Sequence, residues 1–130
     1  MDDELVLVTP GTYSLLYVSH EVRFIFKGTK VYMKFRIVDD QKYEGTELYR
    51  YYNVDWLRRP CGREVIKAGW KSDLMRDYVR LFEEKPRRTD EICFRKFKDK
   101  MMWGEVVTVE EDSRGRDIHE LLRYSRISYL

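Results

Sequence analysis

Residues 31–38 alternate strictly between apolar and polar positions. Val31, Met33, Phe35 and Ile37 point one way, and Tyr32, Lys34 and Arg36 point the other. A period of two is that of a strand with one face buried. A polar loop over 39–42 and Gly45 then lead into a second run, 48–54, which holds Tyr49, Arg50, Tyr51 and Tyr52. If Leu48, Tyr52 and Val54 face the core, Tyr49 and Tyr51 face outward and Arg50 is turned inward. The pattern leaves that facing open. Upstream, residues 12–18 read as a strand, with Tyr13, Leu15 and Tyr17 on one side and Leu16 and Val18 on the other; 22–26 continue it and 27–30 form a turn. Apolar positions 5–8 predict a short leading strand within 1–9, ended by Pro10-Gly11.

Beyond residue 54 the period changes. Arg58 to Arg63 is a basic loop broken by Pro60 and Gly62. Ser72 suits a helix N-cap, and Asp73 suits the positive end of the helix dipole that follows. Leu74, Tyr78, Leu81 and Phe82 share a face at helical spacing, with Arg76, Asp77, Arg80 and Glu83 predicted outside. Lys85-Pro86 ends the helix, and Arg87 to Asp90 is a second basic loop. Residues 91–102 fit a helix or an extended segment. A strand is predicted over 103–109, a turn at 113–115, a short helix over 117–122 and a last strand over 123–130. The expected fold is mainly β with one or two helices. Three strands, a helix and two strands (β-β-β-α-β-β) is the order of an OB-like five-stranded barrel, which is partly open and binds oligonucleotides and oligosaccharides. Residues 1–130 are read as one such domain.

Composition sharpens this picture. Nineteen aromatics in 130 residues, ten of them tyrosine, are more than a core of this size needs, so some are expected at the surface. The net charge of +2 is unevenly spread. Residues 1–49 hold six Lys/Arg against eight Asp/Glu, residues 50–100 hold fifteen against nine, and residues 101–130 hold four against six. A basic middle between acidic ends fits a local anion-binding patch. Cys61 and Cys93 lie in no CxxC or Cys/His cluster, and His20 and His119 do not complete a zinc site of standard spacing. Two free thiols in a reducing cytoplasm are expected. The acidic start, Met1-Asp2-Asp3-Glu4, lacks the basic region of a secretory leader. No apolar run approaches the roughly 20 residues that span a bilayer.

Several segments carry a resemblance. Pro10-Gly11-Thr12-Tyr13 leads a strand; a long strand ends in Val38-Asp39; Tyr43-Glu44-Gly45 and Tyr52-Asn53-Val54 follow. Together they resemble small OB-type single-strand-binding proteins of bacteriophages and mobile elements. Gly69-Trp70-Lys71-Ser72-Asp73 and Arg123-Tyr124-Ser125 resemble segments of uncharacterised proteins of that group. The resemblance covers most of the chain but rests on strand-and-turn grammar. It implies an OB fold and single-strand binding.

The residues suggest the same function independently. Tyr32, Lys34 and Arg36 with Tyr49 and Tyr51 would place rings and cations in a row, a surface on which bases stack and phosphates are contacted. A solvated sheet face with cross-strand Tyr–Lys/Arg contacts is the alternative, each contact contributing roughly 0.2–1 kcal/mol. Arg58, Arg59, Arg63, Lys67 and Lys71, with Arg87, Arg88, Lys96 and Lys98, form a basic loop set placed to guide a phosphate backbone or simply to solubilise the surface. Trp56, Trp70 and Trp103 are expected to pack in the core or rim, Trp70 being the best exception as a base platform because Lys67 and Lys71 flank it. No nucleotide-binding glycine motif is present, and no catalytic triad has sequence support. Asp39, Asp40 and Glu44 suit Mg²⁺ in principle, but adjacent acids more commonly make a turn. The expectation is a non-enzymatic, cofactor-free cytoplasmic protein that binds single-stranded DNA or RNA, with self-association left open. The rival is a module that captures a protein partner, because tyrosine and arginine are also enriched at interface hot spots.

Overall fold

A computed structural model describes residues 7–25, 28–58, 64–98, 100–110 and 124–130, with backbone alone for 24, 25, 56–58, 64, 65 and 124. Among the described residues the protein is mainly β with one α-helix. The strands are β1 (Gly11–Ile25), β2 (Gly28–Val38), β3 (Glu47–Arg58), β4 (Glu64–Lys67), β5 (Met101–Val109) and β6 (Tyr124–Tyr129). Helix α1 (Asp73–Phe82) lies between β4 and β5, and a 3-10 turn occupies Phe94–Phe97. All strand pairs are antiparallel, in the order β4-β3-β2-β1-β5-β6.

The β1–β2–β3 pattern follows the alternation at 31–38. Val31, Met33, Phe35 and Ile37 are fully buried, and the register sets Val31 opposite Tyr52 and Phe35 opposite Leu48 on the same inner face. Leu15, Leu74, Tyr78, Phe97 and Ile127 are among the side chains that join them in the core. Each such side chain gains roughly 1.5–3 kcal/mol on leaving water. The β2–β3 connection is a turn in which Ile37 N–H donates to Thr46 O at 2.8 Å and Gly45 N–H donates to Ile37 O at 2.9 Å. Gly45 has φ 84°, which a side chain would oppose. Asp40 Oδ1 accepts from the backbone N–H of Lys42 and Tyr43, and Glu44 Oε1 accepts from that of Asp40. These acids build the turn.

β1 pairs with β2 along most of its length and with β5 through residues 11–16. Its register shifts between Tyr17 and Ser19, so Val18 is an inserted residue. A bulge of this kind reverses the phase of the pleat. Before it, Tyr13, Leu15 and Tyr17 face inward. After it, His20 and Val22 face Met33 and Val31, and Ser19, Glu21 and Arg23 join the outer face of β2. The sheet curls, bringing β6 within 8 Å of β3 between Cα atoms, yet no ladder joins them among the described residues. Gly104 sits where backbone and side chains converge: a Cβ there would collide with Leu15 Cδ1 and lie 3.2 Å from Tyr129 O.

Ser72 caps α1 as expected, its Oγ accepting from Met75 N–H at 3.3 Å, and Glu83 closes the helix in the left-handed region. Other expectations are corrected. Arg58, read as the start of a basic loop, ends β3, and residues 64–67, with no strand expected there and Lys67 counted with the basic loops, form β4 against it, because β3 continues past residue 54 and gives them an edge to pair with. Among the described residues there are six strands, not five, and the helix follows the fourth. Residues 7–9 are not a strand; Val8 is instead held by Ser125, whose Oγ accepts from Val8 N–H at 2.7 Å. The rest of the predicted leading strand and the helix predicted over 117–122 lie outside the described residues. Asp77, expected outside, is 2% exposed.

Candidate nucleic-acid interface

The outer face of β2 and β3 gathers five of the expected residues. Tyr32 pairs with Tyr51, Lys34 with Tyr49 and Arg36 with Glu47 across the ladder. The three tyrosine rings form one cluster. Tyr32 meets Tyr51 edge-on at 4.6 Å between centroids, and Tyr49 lies nearly parallel to Tyr51 at 5.9 Å, with 21° between planes. Such contacts contribute about 0.5–1.5 kcal/mol each and hold the rings partly exposed in fixed orientations. Arg23, delivered by the β1 bulge, places its guanidinium 4.2 Å from the Tyr32 centroid, and Lys34 Nζ lies 5.5 Å from that of Tyr49.

Carboxylates temper this charge. Glu47 takes Arg36 at 3.0 Å and Lys34 at 3.9 Å, and Glu21 takes Arg23 at 3.2 Å. The Glu47 pairing is legible in the sequence only once the register is known.

The inner side of β3 carries what makes this outer face possible. With Tyr49 and Tyr51 outside, Arg50 points into the protein and is 6% exposed. Asp77 on α1 receives it: Arg50 Nε and Nη2 both donate to Asp77 Oδ2 at 3.2 Å, and Tyr52 OH donates to the same oxygen at 2.6 Å. Arg80 donates to Asp77 Oδ1 and, through Nε, to Leu130 O at 2.8 Å. Burial, reinforced by the Asp77 carboxylate, raises the Tyr52 phenol well above its ordinary pKa, so it stays a donor.

The remaining expected residues divide. Lys67 sits on β4 opposite Asp55, and Lys71 is exposed before α1. Trp70 is 46% exposed but lies with α1, whose Asp77 meets the inner side of β3, not with the tyrosines. Arg59, Arg63 and the side chain of Arg58 lie outside the described residues. Of the other cations in the basic set, Arg87 and Arg88 of the second loop and Lys96 of the 3-10 turn are each paired, with Glu91, Asp90 and Glu84 respectively. Among the described residues no three His, Cys, Asp or Glu side chains cluster as a metal site, and no helix is long and apolar enough to cross a membrane.

One residue on this surface departs from expectation. Trp103, expected to pack, is 70% exposed on β5, and Met101 is 54% exposed. Met101 is opposite Leu16, and Leu16 is opposite Arg36, so the outer face runs from the tyrosine cluster across β1 to β5. The signal was present: Met102, Gly104 and Val106 are buried in alternation with an exposed Glu105, which fixes Trp103 outside. No family model, curated protein or solved structure matches this chain.

Proposed function

We propose that the outer face of β2 and β3 binds single-stranded nucleic acid, with DNA as the working ligand. The observation that carries this reading is the fixed cluster of Tyr32, Tyr49 and Tyr51 bordered by Lys34, Arg36 and Arg23. Bases stack on the rings, roughly 1–3 kcal/mol each, and cations contact phosphates. Trp103 extends the stacking surface across β1. The connectivity supports an OB-type barrel: a bulged β1 shared by β2 and β5, β3 beside β2, β6 beside β5 and curled near β3, with β4 added at the edge. In that fold the second and third strands form the ligand face.

Fluorescence anisotropy with labelled poly-dT, against a duplex control and across salt, tests this reading. Micromolar, salt-sensitive preference for the single strand is expected. Lys34→Glu with Arg36→Glu should weaken binding at least about tenfold and flatten the salt dependence; unchanged affinity removes this face from the mechanism. A second reading, a surface for a protein partner of mixed charge, is favoured by Glu47 and Glu21 among the cations. Salt-insensitive behaviour with no affinity for poly-dT would select it.

A further inference from the structure

A pocket of about 430 Å³ opens beside α1, lined by Trp70, Met75, Arg76, Val79, Arg80 and Lys85. Its size falls in the range of roughly 300–1,000 Å³ typical of ligand sites. Met75 and Val79 form an apolar floor. Trp70 forms a wall, its indole 46% exposed. Three cations stand around the opening, and among the described residues no carboxylate lines it. Lys85 is the least committed of them. Its Nζ sits 4.6 Å from the Trp70 ring, with no carboxylate in ion-pair reach among the described residues. Arg76 has only a 3.9 Å contact with Asp73, both ends about two-thirds exposed. Arg80 is anchored by Asp77 and Leu130 O, which fixes its position at the rim.

We propose that this pocket docks an acidic peptide segment of a partner protein, seating one aromatic or large aliphatic side chain against Trp70, Met75 and Val79 while flanking carboxylates meet Lys85 and Arg76. Charge complementarity selects the class: the rim is cationic, and the interior is apolar. A nucleotide, whose base and phosphate the indole and the cations would also meet, is the competing occupant that the test separates. The site lies on the helix side of β3, away from the tyrosine cluster, and is independent of the function proposed above.

The test is fluorescence anisotropy of the whole chain with a labelled short peptide of aspartates and glutamates around one central phenylalanine. Two control peptides replace that phenylalanine with serine, or all carboxylates with amides. Saturable, salt-sensitive binding is expected, weakened about tenfold by either control and by Lys85→Glu. Trp70→Ala should act likewise. Lys85 is exposed, so its variant keeps the fold and isolates the contact even if Trp70→Ala does not fold. No binding at millimolar peptide, equal binding of the serine peptide, or binding unchanged in Lys85→Glu overturns the proposal. Displacement of the peptide by poly-dT in a Lys34→Glu, Arg36→Glu background also overturns it, assigning the pocket to nucleic acid.

Discussion

Asp77 is the residue on which the interior depends most. Its carboxylate accepts from Arg50, Tyr52 and Arg80, and so joins β3, α1 and the backbone after β6. Removing one partner of a buried pair leaves the other charge without compensation, which costs more than the pair itself contributes. Asp77→Ala should therefore destabilise the protein by about 3–5 kcal/mol in urea unfolding, and Asp77→Leu combined with Arg50→Met should recover much of that loss. His20 offers a second test. Its ring stacks on Phe94 at 4.1 Å, and the Tyr17 hydroxyl lies 2.6 Å from Nδ1. Desolvation holds its pKa below the ordinary 6.5. The unfolded chain then takes up a proton at higher pH than the fold does, so stability is complete above 6.5 and lost as pH falls towards the depressed value. His20→Gln should flatten the acid limb of stability below pH 6.5, read as urea midpoints at several pH values. An unchanged slope would exclude His20 as its source.

The β2–β3 hairpin is the element in which the proposed function and stability share residues. Each strand spends one face on the core and leaves the other to Tyr32, Tyr49, Tyr51, Lys34 and Arg36. Glu47, at the start of β3, takes up part of that positive charge. Exposed pairs of this kind are worth roughly 0.2–1 kcal/mol. Glu47→Gln should therefore leave stability nearly unchanged while raising affinity for poly-dT about two- to fivefold and steepening its salt dependence. Lower affinity would show that Glu47 positions the cations instead of masking them. The period of two made the β2 face readable from residues alone, and the same period over β5 places Trp103 outside. The bulge at Val18 was not readable. Nothing in the residues 17–20 announces an inserted residue, and only pairing with β2 shows that Glu21 and Arg23 change sides.

At the scale of the molecule, the strand order ranks protection from solvent. β2 and β1 are flanked on both sides, whereas β4 is four residues long and lies at the edge. Native-state hydrogen exchange should show β2 and the centre of β1 opening only with the whole protein, and β4 opening orders of magnitude faster. Equal protection across the sheet would contradict this order. By itself the sequence determined the strands at 31–38 and 48–54, the capped helix beginning at Asp73 and the outward side of β2, because alternation, helical spacing and capping chemistry are local and repeat along the chain. Tertiary structure decided the rest. Arg50 is tolerable inside only because Asp77, 27 residues away, meets it. Residues 64–67 are a strand only because β3 offers an edge. Trp70 belongs with α1, and Trp103 shares a surface with the tyrosines, because the sheet lays β5 against β1. These depend on partners distant in sequence, and a local period carries no information about which distant residue will arrive.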